Sequence, residues 1–150
     1  MRKIILYCML LGAALLLPIQ GTDVGKLLPV ELVQLYREGD TFVITTDAGA
    51  EGTGKTIREA IGNMKETTPG IVFLDTADFL LIRDINNEET ELLKEYLKGS
   101  VRFCSQEGEI DPKEACALLR VHKPKLRLKD RTPGTEAEVL KEENGRMMLK

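Results

Sequence analysis

The chain has 150 residues, with 21 lysines and arginines against 24 aspartates and glutamates, a formal net charge of -3, three cysteines and one histidine. A modestly acidic chain of this size is one ordinary domain with room for a core, and it lacks the basic surface that general nucleic-acid binding needs to displace counterions. One histidine excludes a histidine metal cluster, and so few cysteines exclude a disulfide framework.

Met1-Arg2-Lys3 leads into an unbroken apolar run from Ile4 to Leu17, closed by Pro18 and small or polar residues. A basic start, a short apolar stretch and a soft ending are the parts of a secretory signal, and the run is shorter than the roughly 20 residues a bilayer span uses. Export is expected, with residues 1–21 either removed after Gly21 or kept as an N-terminal membrane anchor. Cys8 lies inside the apolar run, which is not a lipid-attachment position. For Cys104 and Cys116 the sequence leaves two readings open, a bridge in an oxidising compartment or two buried thiols.

Residues 22–29 read as a linker. Val30 to Tyr36 and Phe42 to Thr46 alternate around the turn signal Glu38-Gly39-Asp40, which predicts a hairpin. Residues 47–54 hold three glycines and read as a loop. A helix follows, because Ile57, Ala60, Ile61 and Met64 recur at the spacing of one buried face. Thr56 and Glu59 form a capping box at its start, the threonine taking the third amide of the helix and the glutamate reaching back to the cap's amide. Thr67-Thr68-Pro69-Gly70 ends it.

Ile71 to Leu74 reads as a continuous apolar strand and Phe79 to Ile82 as another, with Asp75 and Asp78 as turn-bonding residues of the kink between them. A helix from Asn86 or Asn87 to about Lys98 carries Leu92, Leu93, Tyr96 and Leu97 as its core stripe, with acids near its start that suit the helix dipole. Val101 to Ser105 alternates as a strand. Asp111-Pro112-Lys113-Glu114 opens a third helix with a cap, a proline at the first helical position and a glutamate in the first turn, and Ala115, Leu118 and Leu119 face inward from it. Lys123-Pro124 stops it, and His122 is a terminal residue that suits the helix dipole.

Lys125, Arg127 and Lys129 alternate with Leu126 and Leu128. An edge strand with protective lysines accounts for the stripe, and the same cations would also meet an anionic membrane surface. Beyond Thr132-Pro133-Gly134 the chain is polar, with a terminal hairpin around Glu143-Asn144-Gly145.

The candidate chemistry lies in the middle. Gly49, Gly54, Lys55 and Thr56 satisfy the phosphate-loop pattern, and Ile71 to Asp75 is the apolar strand ending in an acid that would hold magnesium. In that reading backbone amides and the helix N-terminus cradle phosphates. Against it stand the short helix, the few residues between helix and Asp75, too few strand–helix units for a parallel nucleotide-binding sheet, and the export signal. The preferred reading is a structural joint, with Thr56 as the cap.

Gly52-Thr53-Gly54-Lys55-Thr56, Glu59-Ala60, Leu74, Ala77 and Leu80-Leu81-Ile82, followed by helix, strand and helix to residue 122, resemble the N-terminal region of the C-subunits of spore germinant receptors, the Ger(x)C family. The resemblance covers residues 30 to 122. It implies a non-enzymatic role at the outer face of a bacterial spore inner membrane, beside membrane-embedded protein partners, and it supplies no catalytic residue, metal or cofactor. The expected architecture is α+β, one small domain over 22–131 with a mixed sheet of about five strands and three helices packed on it, then a polar tail or hairpin over 132–150.

Overall fold

The computed structural model describes residues 24–150, so the signal or anchor expected at 1–21 lies outside the described residues. Among the described residues nine strands form in chain order: β1 (Leu27–Pro29), β2 (Leu32–Glu38), β3 (Thr41–Thr46), β4 (Glu51–Gly54), β5 (Ile71–Phe73), β6 (Phe79–Arg83), β7 (Arg102–Glu107), β8 (Val139–Glu143) and β9 (Arg146–Leu149). Three α-helices of the described residues join them, α1 (Ile57–Thr67), α2 (Asn87–Leu93) and α3 (Pro112–Val121). The fold is α+β with a mixed sheet, in a single domain, but the main sheet has seven strands in the order β4-β3-β2-β6-β7-β8-β9.

The middle of that sheet is parallel. β2 pairs with β6, β6 with β7 and β7 with β8 in parallel, while β3, β4 and β9 add antiparallel edges. Parallel strands are covered on both faces, and β6 is accordingly apolar from Phe79 to Ile82, while β2 is buried from Leu32 to Leu35 with Gln34 as its buried polar residue. On one face Val33, Leu35, Ile44, Leu80, Ile82 and Phe103 pack against Ile57, Ala60, Ile61 and Met64 of α1 and Leu93 of α2. On the other, Leu32, Phe79, Leu81, Cys104 and Leu140 pack against Ala115, Cys116 and Leu119 of α3.

Several elements differ from the sequence reading, each for a local reason. The linker expected over 22–29 contains β1, which pairs in parallel with β5 as a separate two-stranded sheet. Ile71 and Phe73, expected inside, are 45% and 42% exposed, because β5 lies outside the main sheet and only its Val72 turns inward. The helix expected to reach Lys98 stops at Leu93, after which Tyr96 and Leu97 continue in turns, and its buried face runs through Thr90 and Leu93, which leaves Leu92 on the wet side at 49% exposure.

Residues 125–129 are not an edge strand. Phe103 N–H donates to Leu126 O and Leu128 N–H to Val101 O, which folds the segment back along the start of β7 and into a 3-10 turn, Leu128–Asp130. Arg131 fixes that turn, its guanidinium 4.6 Å from the Phe103 ring centroid and bonded to Thr90 and Asn87 of α2. The tail expected beyond 132 does form a hairpin, and β8 joins it to the main sheet rather than leaving it apart.

Candidate functional site

The glycine-rich stretch is a turn followed by a strand. Thr46, Gly49 and Ala50 close the turn through Gly49 N–H to Thr46 O and Thr46 N–H to Ala50 O, both 3.0 Å. Glu51–Gly54 then pairs with β3, from Thr45↔Glu51 to Phe42↔Gly54, where a phosphate loop would be irregular. Gly52 and Gly54 are glycines for a packing reason. A Cβ at Gly54 would stand 2.5 Å from the Ala60 nitrogen, and one at Gly52 would overlap the Ala60 carbonyl and the Met64 amide. Their bare Cα atoms let α1 lie directly on β4.

Thr56 caps α1, its hydroxyl accepting from Glu59 N–H at 3.1 Å. The Glu59 carboxylate bonds the Lys55 amide at 2.8 Å, one residue before the cap amide expected from sequence. Asp75 sits in a 3-10 turn, Leu74–Thr76, ahead of the N-terminal end of β6, whereas Gly54 pairs with Phe42 beside the C-terminal end of β2. The 11 residues of α1, about 16 Å of helix, run between Thr56 and the segment that carries Asp75. Gly54, Lys55 and Thr56 are thus adjacent, and Asp75 is not brought to them.

A different place gathers polar groups. The chain leaving β2 turns away to β3 while the chain leaving β6 crosses through α2 to β7 on the other side, so neighbouring parallel strands send their connections in opposite directions. Such a switch point leaves a crevice at the carboxyl ends of the strands. Here it is a cavity of about 380 Å³ lined by Gln34, Tyr36, Thr45, Arg83, Gln106 and Glu109, with the start of α3 as its rim.

Its floor is a buried amide pair. Gln34 Nε2 donates to Gln106 Oε1 at 2.7 Å and to Ile110 O at 3.2 Å, and Thr45 Oγ1 donates to Gln34 Oε1 at 2.8 Å. Gln106 Nε2 and Arg83 Nη1 both donate to Gly108 O, at 3.1 and 2.8 Å. The Arg83 guanidinium lies 4.7 Å from the Tyr36 ring centroid. Burial, and then the charges of Glu38 and Glu51, raise the Tyr36 phenol above its ordinary pKa, so at neutral pH it stays a donor. Comparison with protein-family models, curated proteins and solved structures finds no match.

The arrangement can bind but holds no nucleophile paired with a base. Its lining brings together the Arg83 guanidinium, the Tyr36 phenol and the Glu109 carboxylate, with Asp111, whose Oδ2 caps α3, at the rim. Sequence reasoning missed this site. Its one signal was polarity in the wrong place, a glutamine inside the apolar run Leu32-Val33-Gln34-Leu35 and another on the inward side of β7.

Cys104 and Cys116 are free and buried. Both belong to the α3-side core, where burial pushes the thiols up to about 12 and about 11 respectively. His122 caps the C-terminus of α3 on the surface.

Proposed function

We propose that the protein is a non-enzymatic binding module, held outside the cytoplasm by its N-terminal segment, whose crevice at the ends of β2, β6 and β7 takes a small polar ligand. The observation that carries the reading is the Gln34–Gln106 pair, two amides buried at 3% and 5% exposure beneath an open cavity. Buried polar side chains that face a cavity hold their shape through mutual hydrogen bonds, and they fix where a ligand's polar atoms must go. Arg83 and Tyr36 supply donors and Glu109 and Asp111 supply acceptors, which suits a small molecule carrying both a carboxylate and an ammonium group. The likeness to germinant-receptor C-subunits supports a partner role beside membrane-embedded subunits.

Calorimetry and thermal shift of the full chain with free amino acids test the reading. Binding that Arg83→Ala and Gln106→Ala each weaken roughly ten-fold or more is the expected result, as for loss of a charge-assisted or buried hydrogen bond. Binding untouched by both variants, or no binding to any amino acid, would overturn it.

A further inference from the structure

Opposite the crevice, the N-terminal ends of the parallel strands form a second distinctive end of the molecule. The described chain enters there, since β1 and β5 directly precede β2 and β6 and are tied across by Val30 N–H to Thr76 Oγ1 at 2.9 Å. Ile71 and Phe73 stand exposed on that end.

The last turn of α3 returns to the same place. Arg120 bonds Glu31 at 2.7 Å, just ahead of β2, and Arg102 at the start of β7 donates to Pro124 O at 2.6 Å. Val121, 76% exposed, therefore sits at this end as well. The segment after it carries Lys123, Lys125, Arg127 and Lys129, all exposed, along the start of β7, with Lys129 N–H on Gly99 O. Nearby acids are partly engaged by the chain: Glu31 by Arg120, and Glu138 by the Lys125 amide at 2.7 Å. Asp75 and Asp78 also lie at this end, Asp78 lining a hollow with Arg102, Arg120 and Lys123, and Glu136 and Glu138 stand beside Lys125, so acids are interleaved with the exposed cations that follow one another along 123–129.

We infer that this end is a docking face for an anionic lipid bilayer, with Ile71, Phe73 and Val121 entering the headgroup boundary and Lys123, Lys125, Arg127 and Lys129 meeting lipid phosphates. Three exposed apolar residues, a basic segment and the point where a 14-residue apolar run, Ile4 to Leu17, would deliver the chain to a membrane all coincide at one end. Docked this way, the crevice at the opposite end opens away from the lipid. The inference rests on the membrane tether in the proposed function, and not on the ligand.

The chain contains no tryptophan, so a single introduced one is a clean reporter. The full chain carrying Phe73→Trp, Val121→Trp or, in the turn at the opposite end, Asp40→Trp is reconstituted into vesicles of brominated phosphatidylcholine with or without phosphatidylglycerol. Mass spectrometry of the same samples reports whether residues 1–21 are retained. Docking gives quenching at positions 73 and 121 but not 40. Quenching should fall when phosphatidylglycerol is omitted or when Lys123, Lys125 and Arg127 are changed to glutamine, roughly five-fold in surface affinity per charge removed.

Equal quenching at all three positions, no quenching at 73 and 121 with the tether retained, or indifference to anionic lipid would each overturn the docking face. A concentration-dependent emission shift without quenching would assign the face to a second copy of the chain and overturn it too. Loss of residues 1–21 from the mature chain would remove the tether itself. Ligand binding by the crevice is read separately, so either proposal can fail alone.

Discussion

Gln34 and Gln106, 72 residues apart in the chain, meet in a 2.7 Å amide–amide hydrogen bond that joins β2 to β7 across β6 beneath the crevice. Both side chains are buried, and Gln34 is held on two further sides by Thr45 and Ile110. A polar network of this kind is costly when half removed.

Gln106→Leu should therefore destabilise the fold by about 1–3 kcal/mol, because it takes away the acceptor for a buried Gln34 N–H. Gln34→Leu should cost a similar amount. The double variant should cost less than the sum, since no orphaned amide remains, and urea denaturation of the three variants measures the coupling.

The joint between β4 and α1 makes a sharper demand. Gly52→Ala and Gly54→Ala each place a methyl group into the backbone of α1 at Ala60, where no flexible side chain can yield, so each should cost about 3 kcal/mol or more. Gly49 has open space around it but a φ of +82, so Gly49→Ala should cost only about 1 kcal/mol, from backbone strain. Thermal melts that ranked Gly49→Ala as the most damaging of the three would contradict this account of the glycines.

Helix starts were legible in the sequence because capping is local chemistry. Asp111 accepts from the Lys113 and Glu114 amides, as its spacing predicts, and α2 starts after Asn86, one of the two starts the sequence offered, in a reciprocal capping box with Glu89 that only the structure shows. The core face of α1 was legible for the same reason, since Ile57, Ala60, Ile61 and Met64 announce their own periodicity.

What failed was whatever depends on a distant partner. Glu51-Gly52-Thr53-Gly54 has no strand signature and becomes a strand because β3 offers its edge and the glycines admit α1. Ile71-Val72-Phe73 has a strong strand signature yet lies outside the main sheet, because its partner is β1. The crevice needed β2 and β7 to be placed on either side of β6, which no local pattern announces.

Thr56→Ala should cost about 1 kcal/mol through loss of the α1 cap, and Asp111→Ala about the same at α3. Lys55→Ala, an exposed substitution whose amide rather than side chain bonds Glu59, should stay within about 0.5 kcal/mol. Chemical denaturation of the three variants checks this order. A silent Thr56→Ala would remove the cap from the account of why α1 begins where it does.

The two buried thiols give the fold an alkaline weakness with a definite sign. Burial raises Cys104 from the ordinary 9.0 to about 12, and raises Cys116 to about 11, so between those values the unfolded chain has released protons that the folded chain still holds. Below about pH 9 both thiols are protonated in either state, and they add nothing to the pH dependence. Above it stability falls with rising pH, by about 1.4 kcal/mol per pH unit for the deeply buried Cys104, until the folded thiol itself ionises. Urea midpoints measured at pH 8 and pH 10 should fall, and the fall should shrink in Cys104→Ala/Cys116→Ala even though that variant starts from a lower stability. Iodoacetamide at pH 8 should correspondingly leave both cysteines largely unmodified in the native chain and alkylate them rapidly in urea, because the reactive thiolate forms only once the α3-side core has opened.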